Sequence, residues 1–200
     1  MIEDASRVLA RTFKHEGADL VLLGEDRGEL GGSEYLKVVH GQVAGQPPHV
    51  DLSRERALIE LLVNATAAGL LQSAHDCSDG GLAVTLAECT FGAGIGLEVD
   101  VPRTDDHRLA GSRTARGLDA VTALFSESAA RVVVSVAGDQ REALLHMAAQ
   151  AGVPAQVIGR TGGSRLRMRV GGEDAIDLTV AEAEQIWGTA IERYFKRTAA

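Results

Sequence analysis

A chain of 200 residues with 45% hydrophobic content can bury a core of its own, and 4% aromatic content leaves Leu, Val, Ile and Ala to fill it. Twenty-eight acidic residues against 20 basic ones, a net charge of −8, exclude a nucleic-acid surface, which needs clustered Lys and Arg. Cys77 and Cys89 are too few for a disulfide framework or a zinc site; with no secretory leader and no apolar run of about 18 residues, the expectation is a soluble cytoplasmic protein, away from any membrane.

Ile2 to Phe13, rich in apolar and β-branched residues without a helical stripe, predicts an extended strand. A turn at His15–Asp19 leads to a second strand over Leu20–Gly24. Two strands are marginal by themselves, so they read as the closing strands of a preceding unit. Gly31-Gly32-Ser33-Glu34-Tyr35 opens a short helix with Ser33 as its N-cap. Glu34 can face a nucleotide or metal there, although a Gly-Gly pair is also simply a tight turn. Gly41 to His49, with Pro47-Pro48, reads as a linker and divides the chain into residues 1–48 and a domain at 49–200.

Asp51 or Ser53 caps a long helix whose stripe is Leu58, Leu61, Leu62, Ala65 and Ala68, ended by Gly69. A short strand then enters His75-Asp76-Cys77-Ser78-Asp79-Gly80-Gly81-Leu82, and a nearly all-apolar helix leaves it from Gly81 to Phe91. Ile95–Val101 alternates strictly, as a half-buried strand does. Pro102–Leu118 is a polar loop or small helix with a solvated His107, and Ala120–Leu124 leads into Phe125-Ser126-Glu127-Ser128. Arg131–Val136 is apolar enough for a central strand. Gln140–Ala151 is an amphipathic helix with Leu144, Leu145, Met147 and Ala148 inward, followed by strands at Val153–Gly159 and Leu166–Val170, the latter extended by Ala175–Leu178. Arg160, Arg165, Arg167 and Arg169 read as a solvated strand face, and Val180–Phe195 as one helix with Ile186, Trp187, Ile191 and Phe195 on one side. The class is α/β (α+β): a mixed sheet with helices packed on one face.

Turn residues before a helix leave backbone N–H groups pointing outward, and the helix dipole adds positive charge, so the Ser78–Gly81 stretch suits an anion. Asp76 and Asp79 would repel a bare phosphate, which argues for a divalent cation between carboxylate and phosphate. The same residues also make an ordinary turn and cap. His75 beside Asp76 invites a general-base role; the simpler one is to hold the loop by ring hydrogen bonds.

The segment His75–Leu82 resembles the His-Asp-x-Ser-Asp-Gly-Gly-Leu signature of the phosphoribosylformylglycinamidine synthase family, C-terminal half. Glu29–Tyr35 resembles its Leu-Gly-Gly-Ser-Glu-Tyr segment, and Leu124–Ser128 its Leu-Phe-Ser-Glu-Ser segment, in the same order. The resemblance runs from about Ile2 to the terminal helix. It implies the C-terminal domain shared with aminoimidazole ribonucleotide synthase, preceded in residues 1–48 by the end of an N-terminal-like domain. It also implies the ATP- and Mg2+-dependent conversion of formylglycinamide ribonucleotide to formylglycinamidine ribonucleotide with glutamine-derived ammonia, in purine biosynthesis. On it, Asp76 is a magnesium ligand, Ser78 contacts nucleotide, Asp79, Gly80 and Gly81 shape the loop, and Ser126, Glu127 and Ser128 bind a substrate phosphate or ribose. Ala129 stands where the family usually has Pro. The implied partners are nucleotide substrates, a separate glutaminase subunit, a small accessory subunit and the N-terminal part of the same protein. That part carries the family's catalytic histidine, so no catalytic residue is assigned and the isolated chain is expected to be inactive. A second reading is a non-catalytic module that dimerises and binds nucleotide. Aminoimidazole ribonucleotide synthase and thiamine-phosphate kinase share the architecture, but their glycine-rich motifs differ from Ser78–Gly81.

Overall fold

Strand β1, Asp19–Leu23, is buried at every residue and sits inside the sheet rather than at its margin. The computed structural model describes residues 8–102 and 115–198. Within them β1 is joined by β2 (Leu71–Asp76), β3 (Leu97–Val101), β4 (Val132–Val136), β5 (Ala155–Thr161), β6 (Arg165–Val170) and β7 (Glu173–Thr179). They form one sheet in the order β2-β4-β1-β5-β3-β6-β7, with β3 and β6 parallel and the other pairs antiparallel. Asp19 of β1 is opposite Val136 on one side and Arg160 on the other, so this strand, from before residue 48, shares a layer with strands from after it.

The helices are α1 (Glu34–His40), α2 (Leu52–Ala67), α3 (Gly81–Thr90), α4 (Ala115–Phe125), α5 (Arg141–Gln150), α6 (Val180–Gly188) and α7 (Ala190–Thr198). They lie on both faces of the sheet, which corrects the one-face expectation. Leu20 and Leu22 pack with Leu82 and Leu86 of α3, Leu124 of α4 and Val180 of α6. Val21 and Leu23 pack on the opposite side with Leu58, Leu61 and Ala65 of α2 and Leu144 and Ala148 of α5. The reason is in the strands themselves. β1 is DLVLL and β4 is VVVSV, apolar at successive positions, and successive side chains point to opposite faces, so each face needs its own cover. Ser135, the polar residue of β4, is buried against Ser73, their hydroxyls 2.6 Å apart.

Toward β7 the cover is one-sided. Leu97, Val99, Leu166 and Met168 enter the core, while their neighbours Glu98, Arg165, Arg167 and Arg169 lie outward. That outer face is laced by ion pairs: Arg165 with Asp177 at 2.7 Å, and Arg169 with Asp174 at 2.8 Å and Glu98 at 3.1 Å. Arg160, also exposed, reaches inward with its Nε 2.8 Å from the buried carboxylate of Asp19, which Arg141 also meets at 3.2 Å.

Three further expectations change. Residues 8–18 form no strand, and the part of the expected Ile2–Phe13 strand before Val8 lies outside the described residues. Phe13 is instead plugged into the core, its N–H donating to Cys89 O at 2.9 Å. Ala175–Leu178 belongs to a separate strand, because Gly171 and Gly172, at φ 59° and 79°, turn the chain into a hairpin. The terminal helix is two helices, interrupted at Thr189 (φ −100°). Ile186, Trp187, Ile191 and Phe195 are all at least half exposed on them. His107 lies outside the described residues. Among those described, no helix is long and apolar enough to cross a membrane.

Candidate functional site

β2 delivers Asp76 to the edge of the sheet, and the Cys77 N–H, donating to Arg131 O at 2.9 Å, ends the pairing there. The chain then turns on two glycines. Gly81 N–H donates to Ser78 O at 2.9 Å, and Gly80 and Gly81 hold φ of 81° and 64°, the left-handed region that favours glycine. Gly81 is also required by space: a β-carbon there would stand 2.4 Å from Ser126 O. α3 starts at once, with its Thr85 hydroxyl shared between Asp76 O and Gly81 O at 3.0 Å each. Behind it His75 places Nε2 2.8 Å from Glu88 Oε2 and Nδ1 3.4 Å from Asp76 Oδ1, with only 16% of its side chain exposed. It ties β2 to α3, in the structural role given to it above.

The three motif stretches meet at one atom. Glu127 Oε1 accepts the N–H of Gly80 at 2.8 Å and the N–H of Glu34 at 2.9 Å. Glu127 N–H in turn donates to Glu29 O at 2.9 Å. Glu34 begins α1, capped by the buried Ser33, whose Oγ accepts from Leu36 N at 3.3 Å. Tyr35 stacks on Phe125 at 5.0 Å, so the same two stretches also touch through their rings.

Ser126 and Ser128 are wholly buried. Ser126 donates its hydroxyl to Asp26 Oδ1 at 2.6 Å, and Ser128 Oγ accepts the Arg27 N–H at 3.1 Å. Both hydroxyls are therefore committed inside the loop, and neither offers an oxygen to a substrate. The loop is clamped from beneath by Arg131, fully buried, which donates to Ser126 O at 2.5 Å and Ser128 O at 3.1 Å and lies 3.7 Å from Asp26. Among the described residues, the buried Arg131 Nη1 has no hydrogen-bond partner. The sequence reading missed Asp26 and Arg131. The signal available for Arg131 was a charge at the mouth of an otherwise apolar strand, which a buried arginine tolerates only when paired.

This geometry narrows the chemistry. The Gly80 N–H is taken by a carboxylate and the Gly81 N–H by Ser78, so the start of α3 already holds an internal anion. What faces solvent is Asp76, 70% exposed, with the exposed Ser78 and Asp79. Lys37 lies close by, its pKa raised by a 2.7 Å hydrogen bond to Glu34 and by the charge of Asp79. Magnesium keeps several waters and takes one or two carboxylates plus phosphate oxygens, and Asp76 with Asp79 fits that donor set. Among the described residues no three His, Cys, Asp or Glu converge on one metal position. A cavity of about 410 Å³ lies behind the loop, lined by Leu22, Asp26, Ala123, Arg131 and Gln156. Cys77 and Cys89 are inert by comparison, burial pushing their thiols up to about 11 and about 12.

A family model described as AIR synthase related protein, C-terminal domain, matches residues 15–171. The chain is 44% identical over 196 residues to phosphoribosylformylglycinamidine synthase subunit PurL of Thermobifida fusca, covering 98% of this chain and 24% of that protein. The counterpart from Moorella thermoacetica is 40% identical over 191 residues, covering 96% and 24%. The chain thus spans about a quarter of the length of the curated relatives it matches. Among solved structures, Thermotoga maritima PurL complexed with FGAR superposes with a TM-score of 0.71 at 18% identity, over 90% of this chain and 30% of that one. Thiamine-monophosphate kinase from Stenotrophomonas maltophilia gives 0.55 at 24% identity, over 84% and 54%, and both show likeness of fold.

Proposed function

This chain belongs to the AIR synthase related proteins, matching their C-terminal domain, and on that premise we propose that it is the C-terminal part of a phosphoribosylformylglycinamidine synthase. The whole protein is then a cytoplasmic ATP-dependent carbon–nitrogen ligase that converts formylglycinamide ribonucleotide to formylglycinamidine ribonucleotide. Its ammonia comes from a separate glutaminase subunit assembled with a small accessory subunit. The likeness to relatives named as this synthase's subunit, and to solved structures titled as PurL with ATP and PurLQS of Thermotoga maritima, supports that assignment.

Within the chain, the reading is a nucleotide site on the rim of the Ser78–Gly81 loop. The observation that carries it is the meeting of the three motif stretches at Glu127 beside the exposed Asp76, Ser78 and Asp79. On the family resemblance this is an auxiliary nucleotide position, and the ATP that activates the amide oxygen would be bound by the part of the protein that carries the catalytic histidine. Asp76 and Asp79 would hold the nucleotide's magnesium ion, Ser78 would donate its hydroxyl to a phosphate oxygen, and Gly80 and Gly81 allow the backbone to approach closely. Because these side chains stand on open surface, a second wall from the remainder of the protein would be needed to exclude water, and the chain alone is expected to lack synthase activity.

Calorimetric titration with ADP and Mg2+ tests the site. Binding by the intact chain that falls by about tenfold or more in Asp76→Ala, with the fold unchanged by circular dichroism, is the expected result. Equal binding by both chains would remove Asp76 from the site, and no binding by the intact chain would remove the nucleotide reading from this quarter of the protein.

A further inference from the structure

We propose that Glu127 is a positioning residue: its carboxylate is the built-in anion at the adjoining starts of α1 and α3, and it sets the shape of the nucleotide rim without touching ligand. The proposal rests on the nucleotide reading above for its functional half. Each helix start exposes N–H groups that lack partners within the helix and carry partial positive charge. α3 has no side-chain cap of its own, since its N-cap is Gly80. Glu127 supplies one from 47 residues away, and the same oxygen binds the first N–H of α1, 93 residues away. Charge-assisted hydrogen bonds of 2.8 and 2.9 Å from one oxygen fix the distance between two loops that share no strand.

Glu127 is itself held. The buried Ser126 and Ser128 on either side of it are anchored to Asp26 Oδ1 and the Arg27 N–H, and Arg131 grips both their carbonyls. Gly81 packs on Ser126 O so tightly that no side chain fits between. The loop therefore presents the Glu127 carboxylate from a rigid base to a Gly80 that glycine chemistry would otherwise leave free. The exposed residues that read as ligand groups, Ser78 and Asp79, immediately precede Gly80, so their direction follows from that grip.

Glu127→Gln keeps an acceptor oxygen for both N–H groups and removes the charge, whereas Glu127→Ala removes the acceptor. In the intact chain, Mg2+-ADP affinity measured by calorimetry is expected to fall about tenfold in Glu127→Ala and to stay within about threefold of the parent in Glu127→Gln. Equal loss in both variants would make the charge itself a cation contact, and no loss in Glu127→Ala would make the grip irrelevant to binding; either overturns the proposal. Amide hydrogen exchange without ligand tests the positioning half separately. Faster exchange in Glu127→Ala confined to Gly80, Glu34 and their neighbours supports it, and unchanged or uniformly faster exchange overturns it. Should the parent chain bind no nucleotide, the binding site is lost but this exchange pattern still decides what Glu127 does.

Discussion

Gly81 carries two constraints that separate by mutation. Its φ of 64° alone would cost an alanine about 1 kcal/mol, but an alanine β-carbon would also stand 2.4 Å from Ser126 O, a backbone clash that no rotamer relieves. Gly69, at φ 71° with open space around it, bears only the first. In urea denaturation, Gly69→Ala should therefore lower stability by about 1 kcal/mol and Gly81→Ala by about 3 kcal/mol or more, and equal losses would refute the close approach. At this scale the sequence was informative where a residue's neighbours in space are its neighbours in the chain. Ser33, Asp51 and Gly69 could be read as caps because the groups they serve lie within three or four residues. Ser126 and Ser128 could not be read correctly, since the Asp26 carboxylate that accepts the Ser126 hydroxyl's hydrogen bond is 100 residues away. A serine committed to such a partner looks, in the sequence, the same as one left free for a ligand.

Helix α6 shows what an element adds to its residues. Thr179 and Glu182 form a reciprocal cap, the threonine hydroxyl accepting the Glu182 N–H at 3.1 Å and the Glu182 carboxylate accepting the Thr179 N–H at 2.9 Å. The hydrogen bonds from Thr179 lower the Glu182 pKa below its ordinary value. A carboxyl group lowered in this way contributes stability above its unfolded pKa and loses it as the pH falls through the folded one. Thr179→Ala should lower the melting temperature by roughly 2–4 °C at pH 7, with the difference between the two proteins shrinking below pH 4. A pH-independent difference would mean that the Glu182 carboxylate takes no part. The end of α6 was harder to read than its start. Apolar residues at Ile186, Trp187, Ile191 and Phe195 keep a helical spacing straight through Thr189, so the stripe conceals the break. Trp187 packs on Phe91 at 5.5 Å beneath the Arg11 guanidinium at 5.9 Å, a contact between three distant parts of the chain.

At the scale of the whole molecule, the placing of β1 decides how the chain divides. A stretch of DLVLL flanked by turns reads as a strand from sequence alone, but which strands lie beside it does not, because its partners are more than a hundred residues downstream. The second layer of helices was legible in part: DLVLL and VVVSV are each apolar on both faces, but which helices cover which face depends on partners far along the chain. A protein beginning at residue 49 would lack β1 and leave β4 and β5 separated by an empty slot. It is expected to bind a hydrophobic dye and to unfold without a cooperative transition, and the full chain is expected to unfold in one step. A sharp cooperative melt of the shortened protein would show that residues 49–200 are a self-sufficient domain.

The position of β1 also orders events on the ribosome. Leu23 is made long before Val132, the residue it will face. At a synthesis rate of about 5–20 residues per second, this apolar strand emerges roughly 5–20 s ahead of its first neighbour. During that interval the nascent chain carries an unsatisfied strand with two bare edges, and protection must come from outside the finished fold. The yield of this protein in a cell should therefore respond to the supply of chaperones that hold emerging chains, more than its final stability alone would suggest.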